Sequence, residues 1–335
     1  MKKLIAIIMT ITLLAAVLAG CSSKKEAGGD AKAQSVEFPT KSINMIVGYS
    51  AGGSTDIFAR LVAKYLEDLW GQTVVVTNVN GGGGAIGFTQ TLQNKPDGYT
   101  VTISNGASLT IGASGNVDFT YQDFDNLGRM IIEDEVLLVS KDSPYTSLQD
   151  LIEDAKTNPG KLKVGFAGLG GFTHLAAAKF INDTGMKVGN IGYGSGSEAV
   201  VGVMGDFVDF CMQQPGEFAS QFEAGELKAL AIMSDERHPS DALANIPTAK
   251  EQGVDFATYQ WRGISAPKGL PEEVKTKWEE ALTEIANNPE FQAEVEEILL
   301  ARVDCITGDE FESWLDSEDA WISPLMKELG LTEEK

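Results

Sequence analysis

The sequence is poor in the residues that most metal and catalytic sites require. Its 335 residues include three cysteines and two histidines. No histidine–carboxylate cluster and no Gly-Lys-Ser/Thr phosphate loop is present. Cys211 and Cys305 lack the paired spacing of a metal site, so two free thiols are expected, with a disulfide as the alternative in an oxidising compartment. We predict no metal and no cofactor.

Basic residues are also scarce. The chain has 26 Lys and Arg against 48 Asp and Glu, which gives a net charge of -22. Binding of nucleic acid or of an anionic lipid surface relies on clustered basic residues, so neither is an expected partner. A small anion held by local dipoles remains compatible with this composition.

The N-terminus carries an uncharged apolar run over residues 4–18, preceded by Lys2 and Lys3. This pattern predicts a secretory signal over residues 1–20. The run is shorter than the ~20 residues that a spanning helix needs. The protein is therefore expected outside the cytoplasm.

The signal ends in Leu18-Ala19-Gly20-Cys21, which resembles the bacterial lipobox. We predict lipid modification of Cys21 and a membrane anchor; the alternative is an ordinary signal with a chance cysteine. Residues 21–37 are too polar to form a core and predict a flexible tether.

Strand-like and helix-like segments alternate from Ile43 onward. Residues 43–47 predict a buried strand, residues 55–69 an amphipathic helix and residues 74–79 the next strand. The alternation continues to about Met233, and an acidic, helical tail follows from Glu272. This pattern predicts an α/β fold with parallel sheets covered on both faces.

Three glycine-rich turns, at residues 51–56, 168–173 and 192–197, each follow a predicted strand and open a helix. Free backbone N–H groups and the helix dipole make such turns anion sites at the carboxyl ends of strands. They predict that a carboxylate is held without Lys or Arg. The alternative is that Ser54, Thr173 and Ser197 merely cap their helices.

Two other glycine-rich segments match catalytic or cofactor motifs. Residues 48–52 fit a nucleophile elbow around Ser50, with His174 or His238 as base, but an elbow on the first strand leaves no earlier strand for the second oxyanion donor. Residues 82–87 fit a dinucleotide fingerprint, but the acidic residue expected about twenty positions later is missing. A tight backbone turn is predicted there.

The chain also resembles the solute receptors of tripartite tricarboxylate transporters, also called the Bug family. The N-terminal motifs that carry the resemblance are Phe38-Pro39, residues 43–47, residues 51–56, Arg60, Gly71-Gln72, Val74-Val75-Val76, Asn78, the glycine run to Gly87 and residues 96–100. Later motifs include Pro159-Gly160-Lys161-Leu162, Gly168, His174, Tyr193, Ile246-Pro247-Thr248, Glu251-Gln252-Gly253, Trp261 and Ala266-Pro267.

The resemblance implies a two-lobed periplasmic-binding-protein fold of type II-like topology, with two chain crossovers and a ligand cleft between the lobes. We expect lobe 1 to comprise residues 38–140 and 241–335, and lobe 2 residues 141–240. The membrane permease would then recognise the form in which the lobes have closed around a ligand.

The family's motifs also imply a set of ligand-binding residues. Asp56 is expected to cap its helix or to bind a ligand amine or water, since a carboxylate would repel a ligand carboxylate. The implied set is Tyr49, Ser50, Ala51, Gly52, Gly53, Ser54, Thr55, Asp56, Ser104, Asn105, Gly168, Gly170, Gly171, Thr173, His174, Tyr193, Gly194 and Ser195.

Two departures from the family leave the ligand's identity open. Many relatives have Pro-Phe-Pro where this chain has Gly48-Tyr49-Ser50, and often Tyr-Lys-Gly where it has Tyr193-Gly194-Ser195. Without that lysine, a dicarboxylate, a tricarboxylate, an aromatic acid and a zwitterion are all compatible.

The resemblance therefore implies a lipid-anchored, monomeric solute receptor, not an enzyme, that captures a small carboxylate and delivers it to integral membrane subunits of a transporter. The alternatives are an extracytoplasmic serine hydrolase that uses Ser50 and an adhesion or sensory module with the same fold.

Overall fold

The computed structural model describes residues 37–332, and this part of the chain is built on two β-sheets. The predicted signal sequence, most of the predicted tether and the lipidation at Cys21 lie outside the described residues. No helix within residues 37–332 is both long and apolar enough to cross a bilayer.

Strands and helices alternate along most of this range, as the sequence predicts. The strands are, in chain order, β1 (Ile43–Val47), β2 (Val74–Asn78), β3 (Thr100–Asn105), β4 (Phe124–Asp134), β5 (Val136–Ser140), β6 (Lys163–Ala167), β7 (Gly189–Tyr193), β8 (Phe210–Gln213), β9 (Leu227–Ile232), β10 (Tyr259–Pro267) and β11 (Arg302–Thr307). The α-helices are α1 (Ser54–Trp70), α2 (Ala85–Leu92), α3 (Ala107–Ser114), α4 (Leu148–Thr157), α5 (Phe172–Thr184), α6 (Gly196–Met204), α7 (Ala219–Glu223), α8 (Glu272–Ala286), α9 (Pro289–Leu299) and α10 (Gly308–Glu328).

The strands form a six-stranded sheet of order β11-β4-β10-β3-β1-β2 and a five-stranded sheet of order β7-β6-β8-β5-β9. β1 is parallel to both of its neighbours, as the βαβ pattern predicts. The prediction of wholly parallel sheets is wrong, because β10 is antiparallel to β3 and β4, and β5 is antiparallel to β8 and β9. Both sheets are therefore mixed.

The antiparallel strands β4, β10 and β11 escaped the sequence analysis. β4 and β10 carry buried charged side chains such as Glu133 and Arg262, which interrupt the apolar pattern of a strand interior. Strand prediction from hydrophobic runs fails where polar side chains pair with one another inside the fold.

The chain passes twice between the sheets. Glu135 alone separates β4 in the first sheet from β5 in the second, and residues 233–258 lead back from β9 to β10. This confirms the two crossovers of the predicted fold. β5 pairs within the second sheet although the predicted lobe 1 extended to residue 140; the lobe boundaries stay a prediction.

Aromatic packing fixes the N-terminal end of the described chain against the first sheet's helices. The rings of Trp70 on α1 and Trp278 on α8 meet edge to face at 4.7 Å, and Phe38 packs on both. Trp278 is fully buried and its indole N–H donates to the carbonyl of Gly98 at 3.2 Å.

We expect the substitution Trp278→Ala to lower the free energy of unfolding by about 3–5 kcal/mol, because it leaves a large cavity and an unpaired carbonyl. Trp321→Ala is the matched control, since Trp321 is 39% exposed. Urea denaturation followed by circular dichroism measures both, and equal losses in the two variants would refute this account of the core.

Candidate ligand-binding site

The three glycine-rich turns lie together in space. A Cβ atom built on Gly194 in the third turn would lie 3.0 Å from the hydroxyl oxygen of Ser50, next to the first turn. The second turn packs against the glycine run before α2: Gly168 has a φ of +76°, and any side chain there would overlap the backbone of Gly83. This backbone contact joins loops that follow strands of different sheets.

The first turn already binds a carboxylate of its own helix. Asp56 accepts hydrogen bonds from the backbone N–H of Gly52 at 2.9 Å, from Arg60 and from Asn78. Burial alone would raise the pKa of Asp56, but these hydrogen bonds outweigh it and hold the pKa below its ordinary value. Asp56 lies in the first turn of α1, and its carboxylate reaches back to the residue before the N-cap Gly53.

Glu217, a residue that the sequence analysis missed, links two of the turns. It ends the 3-10 turn Pro215–Glu217, and its side chain accepts hydrogen bonds from the backbone N–H groups of Ser54 and Ser197, the latter at 2.8 Å. Its carboxylate thus sits at the N-termini of α1 and α6, where helix dipoles favour negative charge. Glu217 is 7% exposed.

Burial raises the pKa of Glu217, while Arg262 and the two backbone N–H groups oppose the rise. No Lys, Arg or His nitrogen within residues 37–332 lies within 4 Å of this carboxylate. The group is therefore held by backbone dipoles and not by a direct ion pair.

Arg262 and Glu133 form a buried ion pair beside Glu217. Arg262 Nε lies 2.9 Å from Glu133 Oε2, and both side chains are at most 1% exposed. The contact lacks the alignment of a hydrogen bond, and Arg262 Nη2 has no hydrogen-bond partner within the described chain. The hydroxyl of Ser54 donates to Glu133 Oε1 at 2.6 Å.

A third buried carboxylate, Glu135, lies at the first crossover. Gln214 Nε2 donates to Glu135 Oε1 at 2.9 Å. Burial raises the pKa of Glu135 well above 4.5; the hydrogen bond from Gln214 lowers it in part, and the charge of Glu133 raises it further.

A narrow cavity of about 20 Å³ lies among these groups. This volume is room for about one water molecule, so a larger solute reaches it only when the surrounding loops separate. The lining residues are Tyr49, Thr55, Asn105, Ala167, Phe172, Thr173, Gly196, Gln214, Glu217, Gln260 and Arg262.

Four of the residues predicted to bind ligand line this cavity: Tyr49, Thr55, Asn105 and Thr173. Tyr49 donates its hydroxyl to the carbonyl of Gly83 at 2.9 Å, and burial raises its pKa to about 12. The remaining predicted residues lie outside the cavity lining: Ser50, Ala51, Gly52, Gly53, Ser54, Asp56, Ser104, Gly168, Gly170, Gly171, His174, Tyr193, Gly194 and Ser195.

His174 lies beside the second turn and is not among the residues that line the cavity. Its ring stacks on Phe166 at 4.3 Å, and its Nδ1 accepts a hydrogen bond from the backbone N–H of Gly170. Burial lowers its pKa. The ring therefore supports the second turn through this hydrogen bond.

Within residues 37–332, neither candidate histidine hydrogen-bonds the hydroxyl of Ser50. This hydroxyl accepts a hydrogen bond from Asn80 Nδ2 at 3.2 Å. The second candidate base, His238, hydrogen-bonds the carbonyl of Leu300 and the backbone of Ser240 instead. The described residues contain no cluster of side chains able to hold a metal ion, and both Cys211 and Cys305 are free thiols.

Gln260 and Arg262 lie on β10, whose antiparallel pairing with β3 places Arg262 opposite Asn105, while Gln260 Oε1 accepts a hydrogen bond from the backbone N–H of Gly106 at 2.9 Å. Gln214 and Glu217 follow β8, and no glycine-rich motif marks them. The signal available in the sequence was a polar residue directly after, or inside, an apolar strand.

The two mixed sheets, the double crossover and the polar cavity between converging turns define a two-lobed solute receptor of the periplasmic-binding-protein type. A family model described as "Tripartite tricarboxylate transporter family receptor" matches residues 58–330. The chain belongs to this family. The prediction that it is a receptor and not an enzyme is thereby confirmed, and the hydrolase alternative is wrong.

Individual relatives agree with this assignment. Protein BugT of Bordetella pertussis is 32% identical over 289 residues, which cover 83% of this chain and 88% of BugT. The structure of periplasmic binding protein BugD has a TM-score of 0.81 at 28% identity and covers 89% of this chain and 100% of its own. R. palustris Rpa4515 with adipate has a TM-score of 0.83 at 26% identity and covers 88% and 99%.

Family membership implies an extracytoplasmic location, small carboxylate ligands and transporter membrane subunits as partners.

The raised pKa of Glu135 predicts a pH-dependent stability. Folding favours the protonated carboxyl, so its contribution is fully present below pH 4.5 and is lost as the pH rises through the raised value. Glutamine does not titrate. We therefore expect Glu135→Gln to gain stability relative to the wild type as the pH rises, by about 1.4 kcal/mol for each unit by which the pKa is raised.

Urea unfolding of both proteins between about pH 5 and pH 8 measures this difference. Glu226→Gln is the control, because Glu226 is an exposed carboxylate paired with Lys141. A difference between wild type and Glu135→Gln that stays constant with pH would contradict the assignment.

Proposed function

We propose that this protein captures a small carboxylate-bearing solute in the cavity between the turns and delivers it to the integral membrane subunits of a tripartite tricarboxylate-type transporter. The observation that carries the proposal is the convergence of helix N-termini from both sheets, α1 and α6, on one buried polar cavity. Adipate in the related Rpa4515 supports a carboxylate as the ligand class.

The proposed ligand contacts come from both lobes. Tyr49, Thr55 and Asn105 would act from the first lobe and Thr173 from the second, with the turn residues of the predicted set shaping the loops around them. We propose residues 38–140 with 241–335, and 141–240, as the two lobes, subject to the placement of β5 in the second sheet. A ligand bridging them would favour the closed arrangement.

We further propose that the protein is a monomer tethered to the membrane through a lipid on Cys21. The lipobox-like sequence before Cys21 and the polar segment after it support this anchor. Mass spectrometry of the mature protein tests it: a diacylglycerol-modified Cys21 as first residue supports the anchor, and an unmodified cysteine refutes it.

A thermal-shift screen of the protein without residues 1–21 tests ligand capture. The panel comprises adipate, succinate, citrate, benzoate and common amino acids. A ligand at a hundredfold excess over its Kd adds about 2.7 kcal/mol to the free energy of unfolding, so a saturable rise of several degrees in Tm is expected for one chemical subset. No rise with any carboxylate would refute the proposal.

Gly53 offers a direct test of the site. A Cβ atom at this position would lie 3.0 Å from Glu217 Oε2, and its φ of -81° accommodates other residues. We expect Gly53→Val to weaken binding of the best panel ligand at least a hundredfold by displacing Glu217, with a small change in Tm. Isothermal titration calorimetry measures the affinity.

Gly189→Val is the control for Gly53→Val, because a Cβ at Gly189 meets only the flexible side chain of Lys163 and a more distant carbonyl. Gly171 is a poorer choice of test position, since a Cβ there would press on the carbonyl oxygen of Ala167 at 2.8 Å and disturb the turn itself. Unchanged affinity in Gly53→Val would place the site elsewhere.

A further inference from the structure

The backbone anion sites of the first and third turns are already engaged by carboxylates of the chain itself, and in the second turn His174 Nδ1 accepts the hydrogen bond of the Gly170 N–H. Asp56 accepts a hydrogen bond from the backbone N–H of Gly52, and Glu198 accepts one from the backbone N–H of Gly194 at 2.9 Å. Glu217 accepts hydrogen bonds from the backbone N–H groups of Ser54 and Ser197. A ligand carboxylate that entered the first or the third turn would meet like charge.

One strong donor remains in the cavity. Arg262 uses Nε toward Glu133, whereas its Nη2 is buried and has no hydrogen-bond partner within residues 37–332. A buried guanidinium nitrogen without an acceptor is costly, and a carboxylate is the acceptor that a guanidinium binds best. Arg262 lines the cavity, so a ligand carboxylate can reach it.

One strong acceptor, the carboxylate of Glu217, remains in the same cavity. An ionised carboxylate offers about four acceptor positions, and the two backbone N–H groups leave part of the Glu217 carboxylate open. Glu217 lines the same cavity, and no described cation lies within 4 Å of it. An ammonium group supplies both the missing charge and up to three N–H donors.

The balance of charge favours a ligand that carries both signs. Glu133 and Glu217 bring two buried carboxyl groups close to a single guanidinium, that of Arg262, and Glu133 already pairs with it. A second ligand carboxylate would add repulsion with no further cation to meet it, since uncompensated charge is unfavourable in a buried site.

We propose that the ligand is a small zwitterion, an amino acid or a close analogue, whose carboxylate binds Arg262 and whose ammonium group binds Glu217. This inference rests on the proposed function as a carboxylate receptor and specifies its ligand class. Glu217 is then the residue that separates amino acids from plain organic acids.

Matched pairs of ligands test the proposal, because the members of each pair differ by one α-ammonium group. The pairs are L-aspartate with succinate, L-glutamate with glutarate, and L-phenylalanine with 3-phenylpropionate. Isothermal titration calorimetry at pH 7 is expected to show one amino acid binding at least tenfold more tightly than its partner acid.

The outcomes separate this inference from the proposed function. A plain acid that binds as tightly as its amino acid, or more tightly, overturns the zwitterion and leaves the carboxylate receptor standing. If neither these six compounds nor any member of the larger carboxylate panel binds, the receptor proposal fails and this inference fails with it.

The substitution Glu217→Gln isolates the ammonium contact. It should reduce the affinity for the preferred amino acid at least tenfold and leave the affinity for the matched plain acid unchanged or increased, because repulsion is removed. Equal weakening of both members would show that Glu217 only supports the turns and would overturn the proposal. Glu226→Gln, an exposed change of the same kind, should alter neither affinity.

Discussion

The carboxylate of Glu217 is the contact around which the cavity is arranged. It lies at the N-termini of α1 and α6 and accepts a hydrogen bond from a backbone N–H of each. α1 follows a strand of the first sheet, and α6 follows a strand of the second. The two helix N-termini are therefore held near each other because both donate to the same carboxylate. The glycines at Gly53 and Gly196 keep this approach possible, since a Cβ at either would press on the Glu217 side chain.

Burial governs the chemistry of the neighbouring acids. Desolvation is the largest influence on the pKa of Glu133, Glu135 and Glu217, and it raises all three. Asp56 shows the opposite balance, because its hydrogen bonds outweigh desolvation. Asp56 therefore differs from the other three acids in the direction of its pKa shift, although all four are buried.

Much of the fold could be predicted from the sequence, because apolar periodicity sets β1, α1 and β2 within a residue or two of their observed ends. The turn at residues 51–56 was likewise predictable, since glycines before a helix leave backbone N–H groups free. Strands β4, β10 and β11 were not, and Arg262 was missed with β10. A charged residue such as Arg262 is expected on the surface unless a buried partner is known. Its partner Glu133 lies 129 positions away in the sequence, and no local pattern reveals a pair at that separation.

The single residue between β4 and β5 has a mechanical consequence. Any rotation of one sheet against the other at this crossover turns about the backbone of Glu135, whose neighbours in the chain include the ion-paired Glu133. Glu133, two residues before the pivot, pairs with Arg262, which lines the cavity. The residue that pairs with the cavity's guanidinium and the crossover between the sheets are therefore only two positions apart in the chain.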